Sequence, residues 1–363
     1  MFLEQKVSTI TKKEISPKSI EAEHILVIRL SAMGDVAMSV PVIRMVRTMY
    51  PDVKITVLTR AFFEPIFDSI DNIALYHADV DGTHKGLLGL SKLSKELRKL
   101  GITAVADLHN VLRSNILKKF FRLHKIKVIQ IDKGRAEKKA LTRTSNKNFK
   151  QLKTTHQRYA DVFEKLGFPI DLQNHTFPKK VELTPEVLRI TQNSTKKWLG
   201  IAPFAQYDSK TYPLDLMIAV IEELDKQDMF EVFLFGGGKK EIDIFNNIES
   251  KYKNVINVAG KLSFANELKL IGNLDGMISM DSGNGHLAAM YGVPTITLWG
   301  VTHPFAGFMP FAQPVEHAIL PNLAIYDQIP TSIYGNKYPE GYEKVMHSIQ
   351  PNTILQKIYA ILQ

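Results

Sequence analysis

Two short stretches of this chain combine residue types that can move a proton and hold a phosphate. The first is Ser31-Ala32-Met33-Gly34-Asp35, between an apolar run and a helical pattern. Gly34 allows a backbone conformation closed to other residues. Asp35 falls at the expected helix start, where its carboxylate can accept a proton from an incoming hydroxyl. The plainer alternative is that Asp35 only caps that helix, a task Asp performs well. The second stretch is Asp281-Ser282-Gly283-Asn284-Gly285-His286. Its small residues allow close backbone approach, and free N–H groups at a helix start attract phosphate. Ser282 can cap the helix or donate to the same anion, and His286 falls in the first turn. The bland alternative is a capped helix with His286 satisfied in the wall.

Further polar residues fall at comparable places. Lys210, in Asp208-Ser209-Lys210-Thr211-Tyr212-Pro213, lies just ahead of a helical pattern. A point cation there can neutralise a leaving diphosphate. Gly300-Val301-Thr302-His303-Pro304 ends an apolar run and faces the same way. The triplet Gly236-Gly237-Gly238 reads first as a turn. His156 and Arg158 precede a helical run and are candidates for an anionic acceptor or for simple capping. No HExxH, His-x-Asp or D-x-D pair falls at a strand end, so no metal site is expected.

These residues need elements to hold them. Short apolar runs read as buried strands: 24–30, 54–60, 72–77, 102–108 and 125–131 in the first half. In the second half they are 199–203, 231–235, 255–260, 276–280 and 294–300. Helical patterns alternate with them, among them 35–50, 88–100, 214–227 and 264–274. Such alternation implies βαβ units and mostly parallel sheets. The expected fold is α/β, with two Rossmann-like doubly wound domains facing an interdomain cleft. Ligands of such sheets bind beyond the carboxyl ends of the strands, where the motifs above lie. The expected division is an N-terminal extension over 1–23, a first domain over 24–180 and a linker over 181–198. A second domain follows over 199–345, and a closing helix over 346–363.

Composition narrows the class. The 363 residues include no cysteine, which excludes disulfides and thiolate chemistry and fits a reducing compartment. The polar start lacks the apolar core of a secretory signal, and no run of about 18 apolar residues occurs. The net charge is +9. From Arg113 to Arg158 there are 15 Lys or Arg against two acids, Asp132 and Glu137. Arg113, Lys118, Lys119 and Arg122 head this stretch as candidate contacts for an anionic partner. The alternative is a solvated face. No nucleic-acid-binding signature accompanies it, so nucleic acid is not expected.

Taken together, the motifs resemble the heptosyltransferases of lipopolysaccharide biosynthesis, from about His24 to the end of the chain. ILVIRLSAMGDVAMSVPVIRMVRTMYPDVKITVLT resembles that family's opening strand, S-x-x-G-D loop and helix. ISMDSGNGHLAAMYGVPTITLWGVTHP resembles its D-S-G-x-x-H segment followed by G-x-T-x-P. GIAPFAQYDSKTYP resembles its K-x-W-P segment, and HQRYADVFEKLG the helix near the domain junction. Tyr212 stands where the family usually has Trp, Asn284 where Pro or an apolar residue is common, and Gln206 where a small hydroxyl residue often meets phosphate.

The resemblance implies a GT-B fold and an inverting, metal-independent transfer, without cofactor, from an ADP-activated heptose to a phosphorylated lipopolysaccharide core. By position it makes Asp35 the general base. Lys210, Asp281, Ser282, Gly283 and His286 match donor-contacting positions, with Gln206, Gly34 and Thr302 beside them in the cleft. The expected partners are the nucleotide sugar and an anionic glycolipid. The expected place is the cytoplasm, with peripheral contact at the inner membrane surface. Three other readings stay open at this point: a transferase of the same fold using a UDP- or GDP-sugar, a nucleotide-sugar epimerase, and a non-catalytic binder of anionic glycan or nucleic acid.

Overall fold

The structure is a computed structural model that describes residues 23–192 and 194–362. The expected N-terminal extension lies outside them, apart from Glu23. The first domain runs β1 (His24–Ile28), α1 (Met33–Met49), β2 (Lys54–Thr59), a 3₁₀ helix (Ala61–Phe67) and β3 (Ala74–His77). It continues through α2 (Gly86–Arg98), β4 (Ala104–Asp107), α3 (Leu112–Leu123), β5 (Lys127–Gln130), α4 (Arg135–Leu141) and α5 (Thr155–Leu166). All pairings are parallel, in the order β3-β2-β1-β4-β5.

The central strand shows why its sequence is continuously apolar. Ile25 and Val27 join the core beneath α1 and α5, while Leu26 and Ile28 join the core beneath α2 and α3. A parallel strand covered on both faces has no solvent side to alternate toward. Helix α1 is buried nearly all round for the same reason. It packs on the sheet, on α5, and on a helix of the second domain.

After α6 (Pro185–Thr191), the second domain comprises β6 (Lys197–Ala202), α7 (Leu214–Gln227), β7 (Phe230–Leu234), α8 (Lys239–Glu249), β8 (Val255–Asn257) and α9 (Phe264–Ile271). Then come β9 (Gly276–Met280), α10 (Gly283–Ala289), β10 (Thr295–Leu298), the short β11 (Ala318–Ile319) and α11 (Pro351–Leu362). Its parallel sheet is ordered β11-β10-β9-β6-β7-β8. The α/β expectation and the two doubly wound domains hold.

The stretch expected as a linker, 181–198, is instead part of the second domain. Thr184 caps α6 and its hydroxyl donates to Asn266 at 3.1 Å. Val187 is buried, and Asn273 donates to the Val181 carbonyl at 2.8 Å. A Thr-Pro helix start inside a polar segment hides a helix that tertiary contacts stabilise. Beyond 345 the chain makes a 3₁₀ turn, Val345–Ser348, before α11 packs against α7.

The domains share one apolar cluster where α1 meets α10. Val36, Val40 and Ile43 lie in it with Leu287, Ala288 and Met290. A second tie runs through the loops: Leu152 and Thr155 donate backbone N–H groups to the carbonyls of Phe305 (2.9 Å) and Gly307 (2.8 Å). Among the described residues no helix is long and apolar enough to cross a membrane.

Candidate active site

Helices α1 and α10 pack side by side with their N-termini adjacent at the cleft, and each carries a glycine at the contact. A Cβ on Gly34 would meet His286 Cδ2 at 3.0 Å and Gly283 Cα at 3.2 Å. One on Gly283 would meet the Met33 side chain at 2.7 Å. Gly34 is therefore required for space and not for an unusual backbone angle, since it sits within helix α1 and has no positive φ. A cavity of about 230 Å³ opens beside this contact. Asp35, Gln206, Lys210, Asp281, Ser282, Gly283 and His286 line it together.

Asp35 is not a helix cap. The N-cap of α1 is Ala32, and no side chain caps it. The Asp35 carboxylate instead forms an ion pair with Arg29, whose side chain is buried. Arg29 also donates to the Leu108 carbonyl at 2.6 Å and lies over the Tyr159 ring, 5.9 Å from its centre. The Tyr159 hydroxyl donates to the Asp35 carbonyl at 3.3 Å. The carboxylate is thus fixed from behind and open to the cavity, with its side chain one-third exposed.

Across the cavity, Lys210 donates to the Asp281 carbonyl at 2.6 Å and to its carboxylate at 3.2 Å. Thr302 donates to the same carboxylate at 2.9 Å. Asp281 and Thr302 therefore act through Lys210. The loop that carries Lys210 lies against Gly300, where a Cβ would fall 1.9 Å from the Ser209 carbonyl oxygen. The Ser282 hydroxyl is 3.1 Å from that of Ser279 and does not cap the short α10. His286 is buried, its Nδ1 has no partner among the described residues, and burial lowers its pKa. Tyr212, in the family's Trp position, is buried and donates to the Ile349 carbonyl at 2.9 Å.

The cations nearest the cavity come from the later part of the basic stretch and not from its head. Arg113, Lys118, Lys119 and Arg122 stand on α3 and line neither this cavity nor its neighbour. Lys118 donates to Gln130 at 2.7 Å, Arg122 to the Val128 carbonyl at 3.4 Å, and Arg113 lies 3.9 Å from Asp81. His156 is buried against Phe311, and burial, then His286, lowers its pKa to about 3. Burial thus favours its neutral form. Arg158 is buried with its donors committed to Glu137 (2.8 Å) and to the carbonyls of Asp132 and Lys153.

The charges that do reach Asp35 come from Lys133 and Lys138, just past β5. With Arg29 and Arg158 they line a small recess of about 60 Å³ that opens on the far side of Asp35. Burial, followed by Arg158, lowers the Lys138 ammonium to about 8, and its Nζ lies 4.0 Å from the Phe308 ring centre. The run Asp-Lys-Gly-Arg-Ala-Glu-Lys-Lys, 132–139, begins at a strand's carboxyl end, and that position was the available signal.

A third cavity, about 410 Å³, continues the cleft the other way and shares Gln206, Ser282 and Gly283 with the first. Phe62, Phe204, Phe235 and Phe264 furnish its walls, with Gly236 and Gly237 at one edge. Phe62, from the first domain, stacks on Phe264 of the second at 5.0 Å. Nothing in the motifs pointed to these residues, which are scattered over four segments. The cleft thus has an aromatic end, a lysine in the middle and a carboxylate among cations at the other end. Two doubly wound domains around such a cleft define the GT-B architecture.

Known proteins narrow the class further. The profile of glycosyltransferase family 9 (heptosyltransferase) matches residues 90–326. The chain is 24% identical over 296 residues to the lipopolysaccharide core heptosyltransferase OpsX of Haemophilus influenzae, covering 80% of this chain and 81% of that one. It is 24% identical to lipopolysaccharide heptosyltransferase 1 of Campylobacter coli, with 77% and 84% covered. Among solved structures, a family 9 glycosyl transferase from Veillonella parvula superposes with a TM-score of 0.71 at 19% identity, over 96% of this chain and 99% of that one. The E. coli ADP-heptose lps heptosyltransferase II gives 0.66 at 20% identity, over 93% and 98%. This chain belongs to glycosyltransferase family 9, the heptosyltransferases.

Proposed function

We propose that the enzyme transfers a heptose, with inversion and without a metal, from an ADP-activated donor to an anionic lipopolysaccharide-core acceptor. The observation that carries this is the placement of Asp35 and Lys210 in one cavity beside two adjacent helix starts. The acceptor hydroxyl attacks the anomeric carbon, and Asp35 takes its proton. The bond from that carbon to the diphosphate oxygen breaks, and the diphosphate leaves with the electron pair. Lys210, held by Asp281, meets the charge that grows on it. Arg29 orients the base. The aromatic cavity takes the nucleobase, and the recess with Lys133 and Lys138 takes an acidic group of the acceptor.

One further point supports the reading: the similar E. coli heptosyltransferase WaaC was solved with ADP. The cationic recess favours an acidic acceptor lying at the cytoplasmic membrane surface, with peripheral contact only. The test is transfer from ADP-heptose of known anomeric configuration to phosphorylated core, with excess EDTA. Inverted product formed at the full rate is expected. Activity lost to EDTA and restored by magnesium would overturn the metal-free mechanism. Transfer from UDP- or GDP-sugars in preference would overturn the donor.

A further inference from the structure

A further pocket, of about 400 Å³, lies between the domains and takes no part in the mechanism above. That volume is within the range of small-ligand sites, about 300–1,000 Å³. Its first-domain wall carries Lys133, Arg135, Lys138 and Lys139, and its second-domain wall carries Lys337. Cations line it from both domains, and no acid does. On α3, by contrast, Lys118 and Arg122 spend their charge on Gln130 and the Val128 carbonyl. The side chains of Lys133, Arg135, Lys139 and Lys337 have no hydrogen-bond or ion-pair partner among the described residues. Burial first, and neighbouring cations after it, hold Lys133 and Lys138 below the ordinary lysine value. An anion placed among these charges would relieve their mutual repulsion.

The pocket is continuous with the site. Lys133 and Lys138 line both it and the recess behind Asp35, and Tyr334 lines these two and the catalytic cavity as well. The second-domain loop that supplies Tyr334 and Lys337 is held in place. The Ser332 hydroxyl accepts from the Gly335 N–H at 3.0 Å, and Ser209 donates to the Gly335 carbonyl. Gly335 has a φ of +83° and lies against Lys210, whose side chain a Cβ there would meet at 2.6 Å. From the first domain, Lys147 donates to the Pro330 carbonyl at 3.1 Å. The loop thus touches Lys210 on one side and the cationic pocket on the other.

We propose that this pocket binds a second acidic group of the acceptor, with Lys337 completing it from the second domain, so that the domain holding Lys210 also reads the acceptor. The assignment deepens the anionic acceptor proposed above and rests on it. One acidic group lies in the recess beside Asp35, and the second lies past Tyr334. The Tyr334 ring, 59% exposed, offers a face to the sugar between them. A lysine is a point cation and takes a carboxylate or a phosphate alike. The two groups are held by different walls, so an acceptor lacking the second one gives up the contact with Lys337 and keeps the contact with the recess.

The experiment uses soluble core acceptors that differ only in the second acidic group: a carboxylate, a phosphate or a hydroxyl in its place. Calorimetry measures their binding to the whole protein and to Lys337→Ala and Lys337→Arg, and transfer from ADP-heptose is followed in parallel. The wild type should bind a two-group acceptor about tenfold more tightly than the one-group acceptor. Lys337→Ala should lose about three- to tenfold of affinity for the two-group acceptor and none for the other. Lys337→Arg should keep it, and added salt should shrink the difference. A gain with the carboxylate alone marks an acidic sugar and with the phosphate alone a phosphorylated one; either supports the pocket. Equal losses for both acceptors in Lys337→Ala, or no loss for either, overturn the assignment and leave the proposed transfer intact. A wild type that binds the acceptors alike overturns it too. Two-group acceptors that bind as expected yet receive no sugar from ADP-heptose overturn the proposed transfer and leave the pocket standing. Binding of none of them overturns both.

Discussion

Replacing Asp35 with Asn separates the chemical role of this residue from its place in the fold. The substitution keeps size and an acceptor oxygen but removes the proton acceptor. General-base catalysis contributes about 10²- to 10⁴-fold, and turnover should fall by that much. Stability should fall too, because the carboxylate is the partner of Arg29, which is only 3% exposed. Breaking a fully buried pair costs about 3–5 kcal/mol. The Asp35 side chain is 33% exposed, so solvent meets part of the loss. Arg29 also keeps its bond to Leu108. A cost of about 1–2 kcal/mol results. At about 2–4 °C per kcal/mol, the melting temperature drops by several degrees. Removing the arginine as well, in Arg29→Met with Asp35→Asn, takes away the stranded charge. That double variant should regain stability relative to Asp35→Asn and regain no turnover. Product release of ADP gives turnover, scanning fluorimetry gives stability, and calorimetry gives ADP affinity, which should stay near wild type. An Asp35→Asn enzyme keeping more than about a tenth of normal turnover would refute the base assignment.

Lys210→Ala should weaken ADP binding and turnover together, by about tenfold or more each, because its charge meets phosphate before and during bond breaking. Asp281→Asn should give a smaller loss of the same kind, through a less constrained Lys210; titration of ADP and steady-state rates check both. The acceptor KM should rise as pH passes about 8, where Lys138 loses its proton. The sign for stability is opposite: between about 8 and the ordinary lysine value the unfolded chain binds the extra proton, so this group adds stability with rising pH. Lys138→Met should show a flat acceptor KM across that range, and a persistent rise there would reject the lysine. Gly34→Ala should lower turnover about tenfold with a native circular dichroism spectrum, since a Cβ there presses on Gly283 backbone and misaligns the two halves of the cavity. Unchanged kinetics in that variant would show that the helix starts tolerate separation.

What the sequence disclosed, and what it withheld, follows from the range of the interactions concerned. Parallel strands such as 24–28 are buried on both faces, so their apolar runs stand out without any tertiary knowledge. The S-x-x-G-D and D-S-G-x-x-H stretches each lie within one strand-to-helix turn, so their parts are neighbours in the sequence as in space. Arg29 was missed although it stands six residues before Asp35, because inside the run 24–30 it reads as one more strand residue. Helix α6 was hidden in a polar segment whose anchor, Asn266, lies 82 residues away. The aromatic cavity gathers Phe62, Phe204, Phe235 and Phe264 from both domains, and no periodicity links them. Charge density could not single out residues: within the basic stretch α3 spends Lys118 and Arg122 on its own neighbours, and the cations near Asp35 come from Lys133 after β5 and Lys138 on α4.

The charges around Asp35 also bear on whether the cleft merely binds an anion or does chemistry. Arg29, Lys133, Lys138 and Arg158 line the recess, and Asp35 is its one acid. A receptor for an anionic glycan gains nothing from a carboxylate at that point, where like charges repel the ligand. Its service to the fold is modest, since it caps no helix and the buried Arg29 also has a carbonyl partner in Leu108. A transferase has a use for it. In the proposed mechanism, cations on the acceptor side draw in the acidic sugar, Lys210 opposes the leaving diphosphate, and the carboxylate stands between them where the hydroxyl must lose its proton. Asp35 is the group that the open cavity on one side and the cationic recess on the other have in common with Phe308 and Tyr334, and it alone of the three can accept a proton at neutral pH.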